Sequence, residues 1–136
     1  MPFYQLYYHL VWATYRREPM ITEKVERMIF GTVLNKAKDL ACTIHAIGGV
    51  DDHIHVAITI PPKLAVAEVI GQLKGASSHY VNQQLGLDSF RWQRGYGALS
   101  FSSRAMEPIV AYVRNQKEHH GQNTTIAIFE RWQDDD

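Results

Sequence analysis

The sequence predicts an α+β fold: a four-stranded antiparallel sheet with two helices on one face and an additional helix toward the C-terminal end. Three observations predict it. Apolar residues alternate between period two and period 3.6 along the chain, which separates strands from helices. Two short β-rich runs are joined by Gly48-Gly49-Val50-Asp51-Asp52, a stretch suited to a hairpin. Pro108 is compatible with a helix only in its first turn, so a last helix has to begin close to it.

The elements follow in order. Over residues 4–12, Tyr4, Leu6, Tyr8, Leu10 and Trp12 share one side while Gln5, Tyr7, His9 and Val11 share the other, as in a strand. Thr22 then caps a helix whose apolar positions Val25, Met28, Ile29, Val33, Ala37 and Leu40 recur at helical spacing. Residues 42–47 and 53–60 form the antiparallel hairpin. Pro61-Pro62 ends it, and Val66, Val69, Ile70, Leu73, Tyr80 and Val81 mark a second helix that stops near Gly86. An extended run over residues 89–101 is interrupted at Gly95-Tyr96-Gly97, and the last helix occupies residues 107–120 with Gly121 as its stop. The order βαββαβ followed by a helix gives a sheet of ferredoxin-like type.

At 136 residues and 46% hydrophobic composition, the chain can bury a core without disulfides or a structural metal. Its lone Cys42 fits a reducing compartment, and a cytoplasmic location is expected, since no stretch approaches the roughly 20 apolar residues of a membrane span. Residues 1–133 read as one domain and the acidic Asp134, Asp135 and Asp136 as an unstructured tail. Lys plus Arg and Asp plus Glu balance at 14 each, which excludes indiscriminate coating of nucleic acid. Three of those acids lie in the tail, however. Between residues 91 and 117 five basic side chains, Arg91, Arg94, Arg104, Arg114 and Lys117, face Glu107 alone.

Two constellations carry candidate chemistry. In the third strand Ile54, Val56, Ile58 and Ile60 point toward the helices, which leaves His53 and His55 together on the opposite, uncovered face, able to converge on one ion. Asp51 and Asp52 stand beside them as partners that would orient the rings. A pair of half-exposed strand histidines is the plainer reading. In the last helix Tyr112 and Gln116 share a face; the phenol is a potential covalent nucleophile and the amide a neutral oxygen ligand. The plainer reading packs Tyr112 beside Ile109 and Val113.

Taken together, His53-Ile54-His55 after Gly48-Gly49-Val50-Asp51-Asp52, then Trp92-Gln93-Arg94-Gly95-Tyr96-Gly97-Ala98, then Tyr112-Val113-Arg114-Asn115-Gln116, resemble the single-tyrosine transposases of bacterial insertion sequences. These are the IS200-like and REP-associated tyrosine transposases of the HUH superfamily. The resemblance runs from Leu10-Val11-Trp12-Ala13-Thr14 to His119-His120. It implies that Tyr112 is the nucleophile and that His53, His55 and Gln116 hold a divalent metal. It further implies cleavage and joining of single-stranded DNA, recognised as a hairpin, through a 5′-phosphotyrosine link without a nucleotide cofactor. A homodimer is implied as well, in which the tyrosine helix acts in its own or the partner's site. Two imidazoles and an amide oxygen leave open positions for phosphate and suit magnesium or manganese. A phenol with a pKa near 10 needs such an ion to react at neutral pH.

Candidate DNA contacts are Lys74 beside Ser77 and Ser78, the interleaved Arg91, Trp92, Arg94 and Tyr96, and Arg114 with Lys117 on the tyrosine helix. His119 and His120 read as cations at a helix end, and His9 and His45 as possible supports from neighbouring strands. Two other functions fit the residues. One is a non-catalytic, single-strand nucleic-acid-binding module whose sheet face stacks bases; the other is a zinc-dependent hydrolase built from His53, His55 and His119 or His120.

Overall fold

A computed structural model of the chain describes residues 2–132; the acidic residues 134–136, expected to be unstructured, lie outside the described residues. Four strands, β1 (Tyr7–Ala13), β2 (Thr43–Gly49), β3 (His53–Thr59) and β4 (Gly97–Phe101), form one sheet in the order β2-β3-β1-β4 with every neighbouring pair antiparallel. This is the expected ferredoxin-like order. The first strand begins at Tyr7 rather than Tyr4.

Helices α1 (Glu23–Asp39) and α2 (Val66–Leu85) enclose the main core against one face of that sheet. Thr22 caps α1 as its sequence position predicts: its hydroxyl oxygen accepts from the Val25 amide at 3.2 Å, a contact worth about 1 kcal/mol. Ile29 and Val33 from α1, Leu73 from α2, Leu10 and Trp12 from β1, and Ile54, Val56 and Ile58 from β3 are all fully buried. α2 ends on Gly86, whose φ of 63° is the left-handed conformation that glycine adopts without strain. Its buried stripe differs from the predicted one. Ser77 takes a core seat because its hydroxyl donates to Leu73 O (2.8 Å) and accepts from Trp92 Nε1 (3.0 Å), whereas Tyr80 is 40% exposed over the groove between the helices.

Three connections depart from expectation. Gly48 and Gly49 belong to β2, so the turn to β3 is confined to residues 50–52. Of the extended run over residues 89–101, only Gly97–Phe101 pairs as a strand; upstream, Trp92 touches Thr14 in a single bridge. The reason is hydrophobic. Phe90 and Trp92 turn beneath α2 and pack edge to face, and Trp92 meets Trp12 the same way, which draws the chain out of the sheet. The predicted helix over residues 107–120 is two helices, α3 (Met106–Arg114) and α4 (Gln116–Gly121), separated by Asn115 at φ −102°, ψ 32°. Asparagine side chains compete with the helical backbone, which makes it a natural break point.

α3 lies across β2 and β3 on the face opposite α1 and α2. Ile109 and Val113 bury a second, smaller core with Ala46, Ala57 and Phe129. The approach is close enough that a Cβ on Gly48 would fall 1.8 Å from Val113 O. After α4, residues 122–132 recross this face through a short 3-10 turn (Ala127–Glu130) and run against β4, where a Cβ on Gly97 would fall 2.0 Å from Arg131 O.

Candidate functional site

The sheet face carrying His53 and His55 is not open, contrary to the sequence expectation: both are fully buried. α3, α4 and residues 122–132 cover it, burying Ile109, Val113 and Phe129 against Ala46 and Ala57 of the sheet. Alternation in β3 still decides which way the histidines face, with Ile54, Val56 and Ile58 in the opposite core. His9 on β1, opposite Ala57 and diagonal to His55, joins this set. Its Nε2 lies 2.8 Å from His55 Nδ1, with the rings stacked at 5.0 Å. Asp52 Oδ1 lies 2.6 Å from His53 Nδ1, the orienting contact that sequence position suggested; Arg17 bonds the carboxylate's other oxygen at 3.2 Å. Asp51 is exposed and His45 turns away to Thr59 Oγ1 at 2.6 Å, so neither joins the site.

Tyr112 and Gln116 are brought over the histidines of their own chain. The Tyr112 ring is edge-on to His55 at 5.8 Å, and Tyr112 is only 4% exposed. Gln116 Nε2 donates to Tyr112 O at 3.1 Å, covering a carbonyl at the broken helix end, and its Oε1 faces His120 Nε2 at 3.1 Å. His120 is therefore not merely a cation at a helix end. Its ring meets His53 at 4.8 Å, while His119 stacks on Tyr112 at 4.7 Å.

Glu130 is the residue that sequence reasoning missed. Its Oε1 lies 2.9 Å from His53 Nε2, 3.2 Å from His55 Nε2 and 3.2 Å from His120 Nε2, and its Oε2 accepts from the Tyr112 hydroxyl. The Ile126 amide donates to the same hydroxyl at 3.0 Å. His120 had a signal, since 112, 116 and 120 follow one helical face. Glu130 had none, because residues 122–132 show no period.

Charges here are strongly coupled to burial. Burial opposes ionisation of Glu130, but the neighbouring His53 and His55 imidazoles and the Tyr112 hydroxyl outweigh it and hold the carboxyl well below the usual range. Burial likewise opposes the charge on His53, yet its hydrogen bond to Asp52 and the nearby Glu130 carboxylate raise its pKa. His55 is lowered, chiefly by burial, and His9 is lowered to about 3 by burial and by its neighbour His55. Burial and the Glu130 carboxylate push Tyr112 up to about 12, so in this arrangement the phenol is held protonated.

These side chains fit a divalent ion. His53, His55, His120 and Glu130 each offer one ligand atom, all within 4.8 Å of one another. His53 Nε2 is buried without a directed hydrogen bond among the described residues, although Glu130 Oε1 is close. A lone pair aimed into a cluster of nitrogen and oxygen donors is what an ion would satisfy.

The expected DNA contacts divide into two groups. Arg91, Arg94, Tyr96 and Arg114 are exposed; the Arg91 guanidinium lies 4.2 Å over the Tyr15 ring, and Arg114 Nη2 is 3.4 Å from His45 O. Trp92 is half-buried, its ring packed edge to face against Trp12 and Phe90. Lys74 Nζ donates to Gln93 O (2.7 Å) and Gly95 O (3.1 Å), and Lys117 Nζ to Glu26 (2.5 Å) and Gly49 O (3.1 Å). Both lysines tie elements of the fold together.

Comparison with known proteins adds independent information. A family model described as "Transposase IS200 like" matches residues 2–116. The transposase for insertion sequence element IS200 of Salmonella typhimurium (strain LT2) is 32% identical over 129 residues, covering 89% of this chain and 83% of the relative. Two solved structures are similar in fold. A putative transposase from Deinococcus radiodurans has a TM-score of 0.68 at 23% identity, over 85% of this chain and 93% of that one. A REP-associated tyrosine transposase bound to a REP hairpin has a TM-score of 0.67 at 18% identity, over 89% of this chain and 75% of that one.

Proposed function

The chain belongs to the IS200-like transposase family, and from that premise we propose that it cleaves and rejoins single-stranded DNA through a covalent link to Tyr112. The observation that carries this reading is the convergence of Tyr112 and Gln116, from α3 and α4, on His53 and His55 of β3. In the proposed reaction Tyr112 Oη attacks a phosphodiester, the P–O3′ bond breaks, and the departing 3′-oxygen gains a proton as the phenol loses one. The product is a 5′-phosphotyrosine and a free 3′-hydroxyl. Attack by a 3′-hydroxyl reverses the step and joins strands, so the bond energy is retained and no ATP is needed.

His53, His55 and Gln116 are the proposed ligands of a magnesium or manganese ion, which when bound would offset the negative charge of the phosphate and of the ionising phenol. Asp52 and His9 orient the two imidazoles. Hairpin DNA is the proposed substrate, by analogy with the similar structure that holds a REP hairpin. Lys74, Arg91, Trp92, Arg94, Tyr96, Arg114 and Lys117 are the proposed DNA contacts, of which Lys74 and Lys117 also tie elements of the fold together. Because Tyr112 is buried by residues 126–130, DNA must displace part of that segment to reach it. Residues 1–133 are read as one domain, a homodimer belongs to the same reading, and a cytoplasmic location is proposed; among the described residues no helix is long and apolar enough to cross a membrane.

Incubation with labelled hairpin DNA and manganese tests the proposal. A denaturation-resistant protein–DNA adduct is expected, lost in Tyr112→Phe while binding persists. Binding with no adduct under any metal would favour a non-catalytic nucleic-acid module instead. Released product without an adduct would favour a hydrolase.

A further inference from the structure

We infer that Glu130 is a ligand of the ion, carried into the site by residues 122–132. This rests on the reading of His53 and His55 as metal-binding. Glu130 lies beyond residues 2–116, which match the family, so the match does not assign it a role.

Four observations carry the inference. First, one carboxylate oxygen lies 2.9–3.2 Å from the Nε2 atoms of three imidazoles, and the four candidate ligand atoms lie within 4.8 Å of one another. An ion held by those nitrogens would have this oxygen beside it. Second, His53 Nε2 is buried and lacks a directed hydrogen bond despite the nearby carboxylate, so the contact is one of position rather than of satisfied bonding. Third, two neutral imidazoles and an amide bring no negative charge to a hard divalent cation, which prefers anionic oxygen. Gln116 Oε1 is in addition turned toward His120. Glu130 supplies the missing charge.

Fourth, Glu130 is seated rather than loosely reaching. Phe129 packs against both His9 (5.0 Å) and Tyr112 (5.1 Å), Trp132 lies 5.1 Å from His53, and Gly97 leaves room for Arg131 O to pass against β4. These contacts fix the segment on either side of the carboxylate. Its second oxygen faces the Tyr112 hydroxyl, so the ion is placed beside the nucleophile. Before DNA enters, the ligand set of the ion is thus complete only with residues 122–132 in place.

The test is titration of the metal-free full chain with manganese in the absence of DNA, followed by calorimetry. Glu130→Gln should bind at least about tenfold more weakly than the unaltered protein, and Glu130→Asp, which keeps the charge, should recover part of that loss. His53→Ala in the same titration separates two failures. If His53→Ala binds weakly and Glu130→Gln binds as well as or better than the unaltered chain, Glu130 is not a ligand and only fills space that substrate takes. If His53→Ala also binds normally, the metal reading of the whole site falls with it.

Discussion

His9 stands one strand away from the proposed ligand pair, with its Nε2 2.8 Å from His55 Nδ1. For His55 Nε2 to donate a lone pair to an ion, the ring proton must sit on Nδ1, and His9 is placed to accept it. A neutral acceptor is required there, which agrees with the lowering of the His9 pKa to about 3 by burial. His9→Phe should therefore weaken manganese binding by about tenfold or more, and His9→Gln, which keeps an acceptor, by less. Equal affinities in calorimetric titration would show that His9 only fills space. Tyr112 gives a related lesson. With its pKa raised to about 12 it is a poor nucleophile as it stands, and a cation beside Glu130 would reverse the electrostatic part of that shift. Residue types made His53, His55, Tyr112 and Gln116 candidates, because few side chains ligate ions or attack phosphorus, and the resemblance to the transposases supplied their roles. They did not name Glu130, since a glutamate in an aperiodic segment looks like any solvated one.

The elements hold these residues through contacts that tolerate little change. α3 rests on β2 at Gly48, where a side chain would overlap the Val113 carbonyl. Gly48→Ala should leave the α1–α2 core intact but push α3 off the sheet and move Tyr112 away from His55. The expected outcome is loss of adduct formation by about a hundredfold or more, given the sensitivity of such reactions to misplacement of about 1 Å, with far-UV circular dichroism little altered. Retained adduct formation would mean that α3 can shift without cost to the site. Strand and helix types were legible from period, and Thr22 and Gly86 marked helix ends by their capping chemistry. The break at Asn115 was not legible. Apolar spacing continues through it, and only the packing of Gln116 and His120 onto β3 shows why the helix divides.

Over the whole molecule, the coupled site predicts how stability depends on pH. His9 and His55 have pKa values below the ordinary 6.5, so as pH falls below that value the unfolded chain takes up protons that the folded chain refuses, and stability drops. Asp52 and Glu130, also lowered, extend the loss below their ordinary values of 3.8 and 4.5. His53 acts in the opposite sense: its raised pKa stabilises the fold below 6.5, and that contribution disappears as pH rises through the raised value. Thermal melts should therefore show a falling midpoint from pH 7 to pH 4, with a shallower fall in His9→Gln. A midpoint unchanged over that range would contradict the burial assigned to His9.

The sequence by itself determined the α+β class, the order of elements along the chain and the separation of His53 and His55 from the isoleucine face, because each of these follows from local periodicity and short connections. It also contained the motifs that place the chain among the IS200-like transposases. Only the tertiary structure decided that the histidine face is covered, that the Trp92 ring packs against the core, that Lys74 and Lys117 tie elements together, and that Glu130 joins the cluster. Those outcomes depend on which apolar surfaces remain to be buried once the sheet has formed, a property of the assembled chain rather than of any segment of it.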